Sequence, residues 1–179
     1  INNLAQIKNL LKKNILLNKN FNGKITVNIN SLNHIKLFDQ AKINLKFMNG
    51  KLILDDTILI SKKIGKLSFI DSNLIELDNQ TFFKAKILFE INDQKRFYQK
   101  LQIPKAKMIK LNNIYLELEK NLNENDFFIN KLVINSKIKN NSLYKTRDLT
   151  NVIDINEIKN VKNWIGLKKL SNEIFSEIN

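Results

Sequence analysis

Apolar and polar residues alternate one by one along much of this chain, and this period of two restricts its fold more than any other feature. The longest alternating run is Phe83, Ala85, Ile87, Phe89 and Ile91. Alternation of this kind is typical of a β-strand that buries one face and leaves the other in solvent. Similar runs occur at Ile25–Ile29, Ala41–Phe47 and Ile114–Leu118. The sequence therefore predicts a mainly β protein.

Turn residues separate these runs at short intervals. Asn49-Gly50 lies between two apolar alternations, and this dipeptide favours a type I′ hairpin turn because both positions need a positive φ. Asp78-Asn79 is interpreted as another turn, and Asp71-Ser72 as a break between two strands. The remaining strands are predicted at Lys51–Leu54, Thr57–Ile60, Lys66–Ile70, Asn73–Leu77, Asn113–Glu119 and Phe127–Asn135. Because no helix intervenes between most of them, we expect an antiparallel meander of about seven strands.

Helical periodicity is confined mostly to the two ends of the chain. Apolar residues of segment 2–17 recur at helical spacing, and from Asp154 a second apolar stripe begins, with Glu157 in a capping-box position. Trp164 and Phe175 are expected at the borders of that second stripe. The interpretation divides the chain into an N-terminal helix (1–20), an antiparallel sheet (21–140), and a linker with a C-terminal helix (141–179). Segment 93–102 is read as a helical turn or a loop.

The charge of the chain is strongly basic, with a formal net charge of +13 and a pI near 9.8. Such a balance is compatible with nucleic acid, an anionic membrane, or no specific partner. The lysines are scattered, and arginine, which nucleic-acid surfaces favour, occurs only at Arg96 and Arg147. We therefore expect no nucleic-acid partner. Cysteine is absent, which excludes disulfides and thiolate metal sites.

No motif assembles a catalytic site. His34 is the only histidine, and no nucleophile motif accompanies it. Asp55-Asp56 is interpreted as a strand end or turn. Glu117 and Glu119 fall on one strand face with a spacing compatible with a glycosidase pair, although a solvated face beside lysines is the simpler interpretation. We expect no enzyme activity and no cofactor or metal.

The alternating strands predict one continuous apolar surface, which is the candidate site of the chain. Its predicted members are Ile25, Val27, Ile29, Ile43, Leu45, Phe47, Phe83, Ala85, Ile87, Phe89, Ile91, Ile114, Leu116 and Leu118. A surface of this kind serves either as an ordinary closed core or as a groove for an apolar ligand. Periodicity and composition do not separate these two uses.

Four segments of the chain resemble a known family. They are FMNGKLILDD (Phe47–Asp56), IGKLSFIDSNL (Ile64–Leu74), FEINDQKRFYQKLQIPKAK (Phe89–Lys107) and NNIYLELEKNLNENDFFINKLVINS (Asn112–Ser136). In order and spacing they resemble the C-terminal region of AsmA-like proteins of α-proteobacteria. The most specific stretch is RFYQKLQIPK.

The resemblance implies a curved β-groove that handles lipid at the cell envelope. AsmA-like proteins are anchored in the inner membrane by an N-terminal helix, project into the periplasm, and carry phospholipid toward the outer membrane. By this likeness the chain is a non-enzymatic periplasmic piece whose anchor lies in a segment absent from it, and its ligand is a phospholipid or another acyl chain. The alternatives are a structural or interaction module with a closed apolar core, and a basic nucleic-acid-binding domain.

Overall fold

A computed structural model describes residues 17–32, 37–123, 127–134, 137–139, 142–144 and 164–177. Eight strands form one antiparallel sheet. They are β1 (Gly23–Ile29), β2 (Gln40–Met48), β3 (Lys51–Ile53), β4 (Ile58–Ser61), β5 (Gly65–Leu77), β6 (Gln80–Ile91), β7 (Asn113–Asn121) and β8 (Phe127–Ile134). The prediction of a mainly β protein with an antiparallel sheet is confirmed.

The strands β3 and β4 share one position in the sheet, between β2 and β5. Phe47 of β2 pairs with Leu52 of β3, and Ala41 of β2 pairs with Leu59 of β4. The chain between β3 and β4 leaves the ladder, and Asp56 within it has a φ of 62°. The expectation that Asp55-Asp56 forms a strand end or turn is thereby confirmed.

The strand β5 is continuous where the sequence predicted a break. The pairing of β5 with β6 shifts register between Phe69 and Asp71, which leaves Ile70 outside the ladder and 41% exposed. The predicted break at Asp71-Ser72 is therefore wrong. A β-bulge absorbs one residue without ending the strand, and a local reading of turn residues does not distinguish the two.

Both predicted hairpin turns are present. Asn49 and Gly50 have φ values of 53° and 75°, and Asp78 and Asn79 have 50° and 61°. Two successive positive φ values match the twist of the flanking strands, which is why asparagine, aspartate and glycine occupy these positions. These turns lie at the same end of the sheet, called the hairpin end below.

Two helices are described. Helix α1 (Gln94–Leu101) follows β6, and its N-cap Asp93 accepts a hydrogen bond from the backbone N–H of Arg96 at 3.0 Å. Of the two interpretations of segment 93–102, the helical one is correct. Helix α2 (Trp164–Glu177) lies in the predicted C-terminal helix. The predicted N-terminal helix falls mostly on residues 1–16 and the Asp154–Glu157 cap on 145–163, both outside the described residues.

Two further short strands form a separate hairpin, β9 (Lys137–Lys139) and β10 (Ser142–Tyr144). β10 lies in the segment that the sequence interpretation assigned to a linker.

Both described helices contribute to an apolar cluster at the end of the sheet opposite the hairpin end, called the helix-end cluster. Its members are Phe38, Ile64, Phe89, Ile91, Phe97, Tyr98, Leu101, Ile103, Leu111, Ile134 and Phe175. Phe97 and Tyr98 of α1 pack their rings on Phe175 of α2. Phe175 is only 2% exposed, because the rings of α1 cover it.

A smaller cluster covers the hairpin end. It contains Leu17, Phe47, Leu52 and Leu74, and is called the hairpin-end cluster. Buried apolar side chains cluster at both ends of the sheet, and on β8 they also occupy the middle of the same face, where Ile129 and Leu132 are 7% and 2% exposed.

Candidate functional site

The strand register places the predicted apolar residues on one face of the sheet, called the apolar face. Directly paired residues of an antiparallel ladder point to the same side. The relevant pairs are Ile25–Leu45, Val27–Ile43, Ala85–Leu118, Ile87–Leu116 and Phe89–Ile114. The row Phe47–Leu52–Leu74–Phe83 connects the two halves of the face. Ile29 and Ile91 join it by alternation within β1 and β6.

Burial along this face is uneven. Phe47, Phe89 and Ile91 belong to the covered ends and are at most 8% exposed. Ile25 and Val27, on the outermost strand, are 49% and 40% exposed. The members between these extremes are partly buried, namely Ile29, Ile43, Leu45, Phe83, Ile87, Ile114, Leu116 and Leu118.

The partly buried part of the apolar face runs from β2 to β7 at the middle of the strands, and we call it the middle band. It consists of Ile43, Leu45, Leu54, Phe69, Ile87, Leu116 and Leu118. On β8 the same rows end in Leu132 and Ile129, which are buried. Phe69 pairs with Ile87. The sequence interpretation missed Phe69 because the bulge at Ile70 displaces the alternation of β5, and it missed Leu54 because that residue precedes the break between β3 and β4.

Two small side chains lie at the centre of the middle band. Ser72 pairs with Ala85, and these residues are 0% and 3% exposed. Neither side chain presents appreciable surface to solvent, so the accessible surface of the middle band comes from its larger aliphatic and aromatic side chains.

Polar side chains form the hydrogen bonds of the sheet at the interruption between β3 and β4. Thr26 Oγ1 donates to Asn44 Oδ1 at 2.8 Å, and Asn44 Nδ2 donates to the carbonyl of Asp56 at 3.0 Å. The backbone N–H of Asn44 donates to Thr57 Oγ1 at 3.0 Å, and that hydroxyl donates to the carbonyl of Asn44 at 3.2 Å. Side chains thus supply the partners that a regular ladder would provide.

On the side of β5, the Asp55 side chain likewise bonds a backbone group that a regular ladder would pair. Its Oδ1 accepts the backbone N–H of Ser72 at 2.8 Å. Partial burial raises the pKa of Asp55 above its ordinary value of 3.8, and the nearby Asp71 and Asp56 carboxylates act in the same direction, against the bond from Ser72. The folded protein therefore disfavours the ionised form of this carboxylate, although the same carboxylate accepts the hydrogen bond from Ser72.

Two variants of Asp55 distinguish the effect of its hydrogen bond to Ser72 from the effect of its charge. Asp55→Ala removes the acceptor of the fully buried Ser72, and should lower the free energy of unfolding by about 1–3 kcal/mol. Asp55→Asn keeps an acceptor oxygen without the charge, and should melt at least as high as the wild type at pH 7. Since the folded pKa is raised, wild-type stability should increase as the pH falls through that pKa toward 3.8, and the difference from Asp55→Asn should vanish. Thermal melting between pH 3 and 7 measures both effects, and a gap that widens on acidification contradicts the assignment.

The opposite face of the sheet, called the polar face, carries ion pairs between neighbouring strands. Lys86 lies 2.6 Å from Asp71, Lys84 lies 3.2 Å from Glu119, and Lys66 lies 2.8 Å from Glu90. The hydrogen bond that Lys86 donates to Asp71 raises the pKa of Lys86. These groups are well exposed, so each pair contributes little to stability, and their effect is to neutralise charge across the strands.

Glu117 and Glu119 both belong to this polar face. Glu117 accepts a hydrogen bond from the Tyr115 hydroxyl at 2.7 Å and lies 3.9 Å from Lys131. Burial raises the pKa of Tyr115, and the hydrogen bond to the Glu117 carboxylate raises it further. Each glutamate is thus engaged by a lysine of an adjacent strand, as expected of a solvated strand face.

Other candidate chemistry is limited in the part of the chain that the structure describes. There, no group of three or more His, Asp or Glu side chains is placed to hold a metal ion. His34 falls outside the described residues. No described helix is long and apolar enough to cross a bilayer. No family model, curated protein or solved structure matches the chain. The AsmA-like likeness therefore stays a prediction.

Proposed function

We propose that this protein binds acyl chains of phospholipid or a related lipid on the middle band, without catalysing a reaction. The proposal follows the AsmA-like expectation, in which such a β-surface serves lipid transfer or outer-membrane biogenesis on the periplasmic side of an inner membrane. Anchoring by a segment outside this chain belongs to the same proposal.

The observation that carries the proposal is the uneven burial of the apolar face. The helix-end and hairpin-end clusters cover the two ends of the sheet, whereas Phe69, Ile87 and Leu116 between them are only partly buried. An aliphatic surface that is contiguous across strands and incompletely covered is unfavourable in water unless something apolar occupies it. An acyl chain needs no directional bonds, and each buried CH₂ contributes about 0.8 kcal/mol.

The extent of the middle band supports a chain-like ligand. The strands β2 and β5–β7 each contribute partly buried apolar side chains to the same band. A flexible hydrocarbon chain adapts to a surface of this kind. The ion pairs of the polar face lie in solvent, although Tyr115 and Val133 on that face are buried.

Two neighbouring residues of β6 provide a matched test, because Ile87 lies in the middle band and Leu88 lies on the polar face, and both are partly buried. Ile87→Gln places an amide against the bound chain. It should weaken binding of a phospholipid with a fluorescent acyl chain by about 5- to 150-fold, since desolvating an unpaired amide costs about 1–3 kcal/mol. Leu88→Gln should stay within about twofold of the wild type.

Fluorescence titration of both variants, with thermal melts as the folding control, decides the proposal. A wild-type protein that binds no lipid, or two variants that lose binding equally, would identify the apolar face as a closed core.

A further inference from the structure

The strand β1 forms an uncovered edge of the sheet. Residues 23–28 are all exposed, and only Ile29 is partly buried. Among the described strands, β1 pairs only with β2, on one side. An edge strand of this length with exposed Ile25 and Val27 is a template for another strand.

The hydrogen bonds of Asn44 on β2 indicate which backbone groups of β1 point away from the sheet. Both the N–H and the carbonyl of Asn44 bond to Thr57, on the side of β2 that faces away from β1. Asn44 pairs with Thr26. In an antiparallel ladder, paired residues either exchange both hydrogen bonds or both point them away from each other. The N–H and carbonyl groups of Thr26 therefore point outward from the sheet, and by alternation so do those of Lys24 and Asn28.

Charge differs sharply between this edge and the rest of the polar face. On β5–β8, Lys66, Lys84, Lys86 and Lys131 each lie beside a carboxylate of an adjacent strand. On β1, Lys24 instead lies opposite Lys46, whose charge acts on the Asp55 carboxylate and not on a partner of Lys24, and Asn28 lies opposite Lys42. Like charges directly opposite each other destabilise a sheet. A further strand carrying carboxylates would supply the neutralisation that the other strands already have.

We propose that β1 is a docking edge for an extended segment of a protein partner, whose residues alternate between acidic and apolar. Its carboxylates would lie beside Lys24 on the polar face, and its apolar side chains beside Ile25 and Val27. The outward groups of Lys24, Thr26 and Asn28 would form the new ladder. A second copy of this chain is a poorer occupant, because β1 itself has the sequence GKITVNI and brings no carboxylate.

The charge part of the proposal is tested with two labelled peptides, acetyl-TVEVEVT-amide and the same peptide with lysine in place of glutamate. Fluorescence anisotropy should show the acidic peptide binding at least tenfold more tightly than the basic one, with affinity falling as salt rises. Lys24→Glu should reverse the preference. Lys66→Gln, which removes a charge on β5 away from this edge, should leave it unchanged.

The backbone part is tested at Asn28. Asn28→Pro removes an outward N–H and spares the ladder to β2, so it should weaken the acidic peptide at least tenfold, whereas Asn28→Ala should not. Should the proline variant melt early, the Lys24→Glu reversal still decides, because that change leaves the backbone intact. Equal binding of both peptides, no binding of the acidic one, or a dimer that Asn28→Pro dissociates would overturn the proposal. Ile87→Gln should bind the peptide normally, which separates this edge from the lipid surface.

Discussion

Replacing Gly65 with alanine is expected to be the most damaging single change in the sheet, lowering the free energy of unfolding by more than about 4 kcal/mol. A Cβ atom at this position would lie 2.0 Å from the backbone carbonyl oxygen of Glu90 and 3.1 Å from the Cα of Ile91. Both atoms belong to the neighbouring strand β6, so no flexible side chain can move aside. The φ of Gly65 is +154°, which residues with a side chain rarely adopt.

The consequences should reach beyond the strand itself. Gly65 pairs with Ile91, and it follows Ile64, whose carbonyl accepts the backbone N–H groups of Asn92 and Asp93. Ile64 and Ile91 belong to the helix-end cluster. A shift of β6 away from β5 would therefore also weaken the packing of α1 in the helix-end cluster.

Gly23 provides the matched control, because a Cβ added there meets no atom within 4 Å. Gly23→Ala should change stability by no more than about 0.5 kcal/mol. Urea unfolding followed by tryptophan fluorescence and circular dichroism measures both variants. Similar effects of the two substitutions would show that the close approach of β5 and β6 at Gly65 is not as described.

Truncation of Phe97 to alanine should cost about 3–5 kcal/mol, the range for a large aromatic side chain removed from a core. Phe97 is 2% exposed, and its ring centroid lies 5.6 Å from that of Phe89 on the sheet and 6.4 Å from that of Phe175 on α2. It thus joins the sheet, α1 and α2. Its loss leaves a cavity at the point where the three elements meet.

Gln99→Ala is the matched control on the same helix, since Gln99 is exposed. It should lie within about 0.5 kcal/mol of the wild type because alanine is also a good helix former. The same urea titrations apply. A Phe97→Ala variant as stable as Gln99→Ala would mean that α1 is not packed on the sheet by this ring.

The sequence predicted those features that depend on local chemistry. Asn49-Gly50 marks its turn because few residues adopt two positive φ values in succession, and alternation assigns Ile87 and Leu116 to one face because successive strand residues point to opposite sides. Such features need no knowledge of distant contacts.

Features set by pairing with distant residues could not be predicted in this way. The bulge at Ile70 arises from the register between β5 and β6, and the burial of Phe175 arises from its contact with α1. Alternation also indicates which face of the sheet a residue occupies, but it does not indicate what covers that face. For this reason Phe47 at 4% exposure and Ile25 at 49% carry the same sequence signal.

The docking edge and the middle band lie on connected parts of one sheet but depend on different chemistry. Ile43 and Leu45 of the band are paired with Val27 and Ile25 of the edge. A partner strand on β1 would extend the apolar face by one strand width, about 4.8 Å. Lipid binding and strand docking are therefore expected to be compatible, and the separate variants Ile87→Gln and Lys24→Glu allow each to be lost alone.

Photo-crosslinking reports where a bound acyl chain lies on the sheet. The protein is incubated with a phospholipid carrying a diazirine in its acyl chain, irradiated, and mapped residue by residue by mass spectrometry. Binding on the middle band should give adducts at Ile87 and Leu116, and few at Leu88 and Glu117, their neighbours on the polar face. Equal labelling of both faces, labelling confined to α1 and α2, or no labelling at all would contradict it.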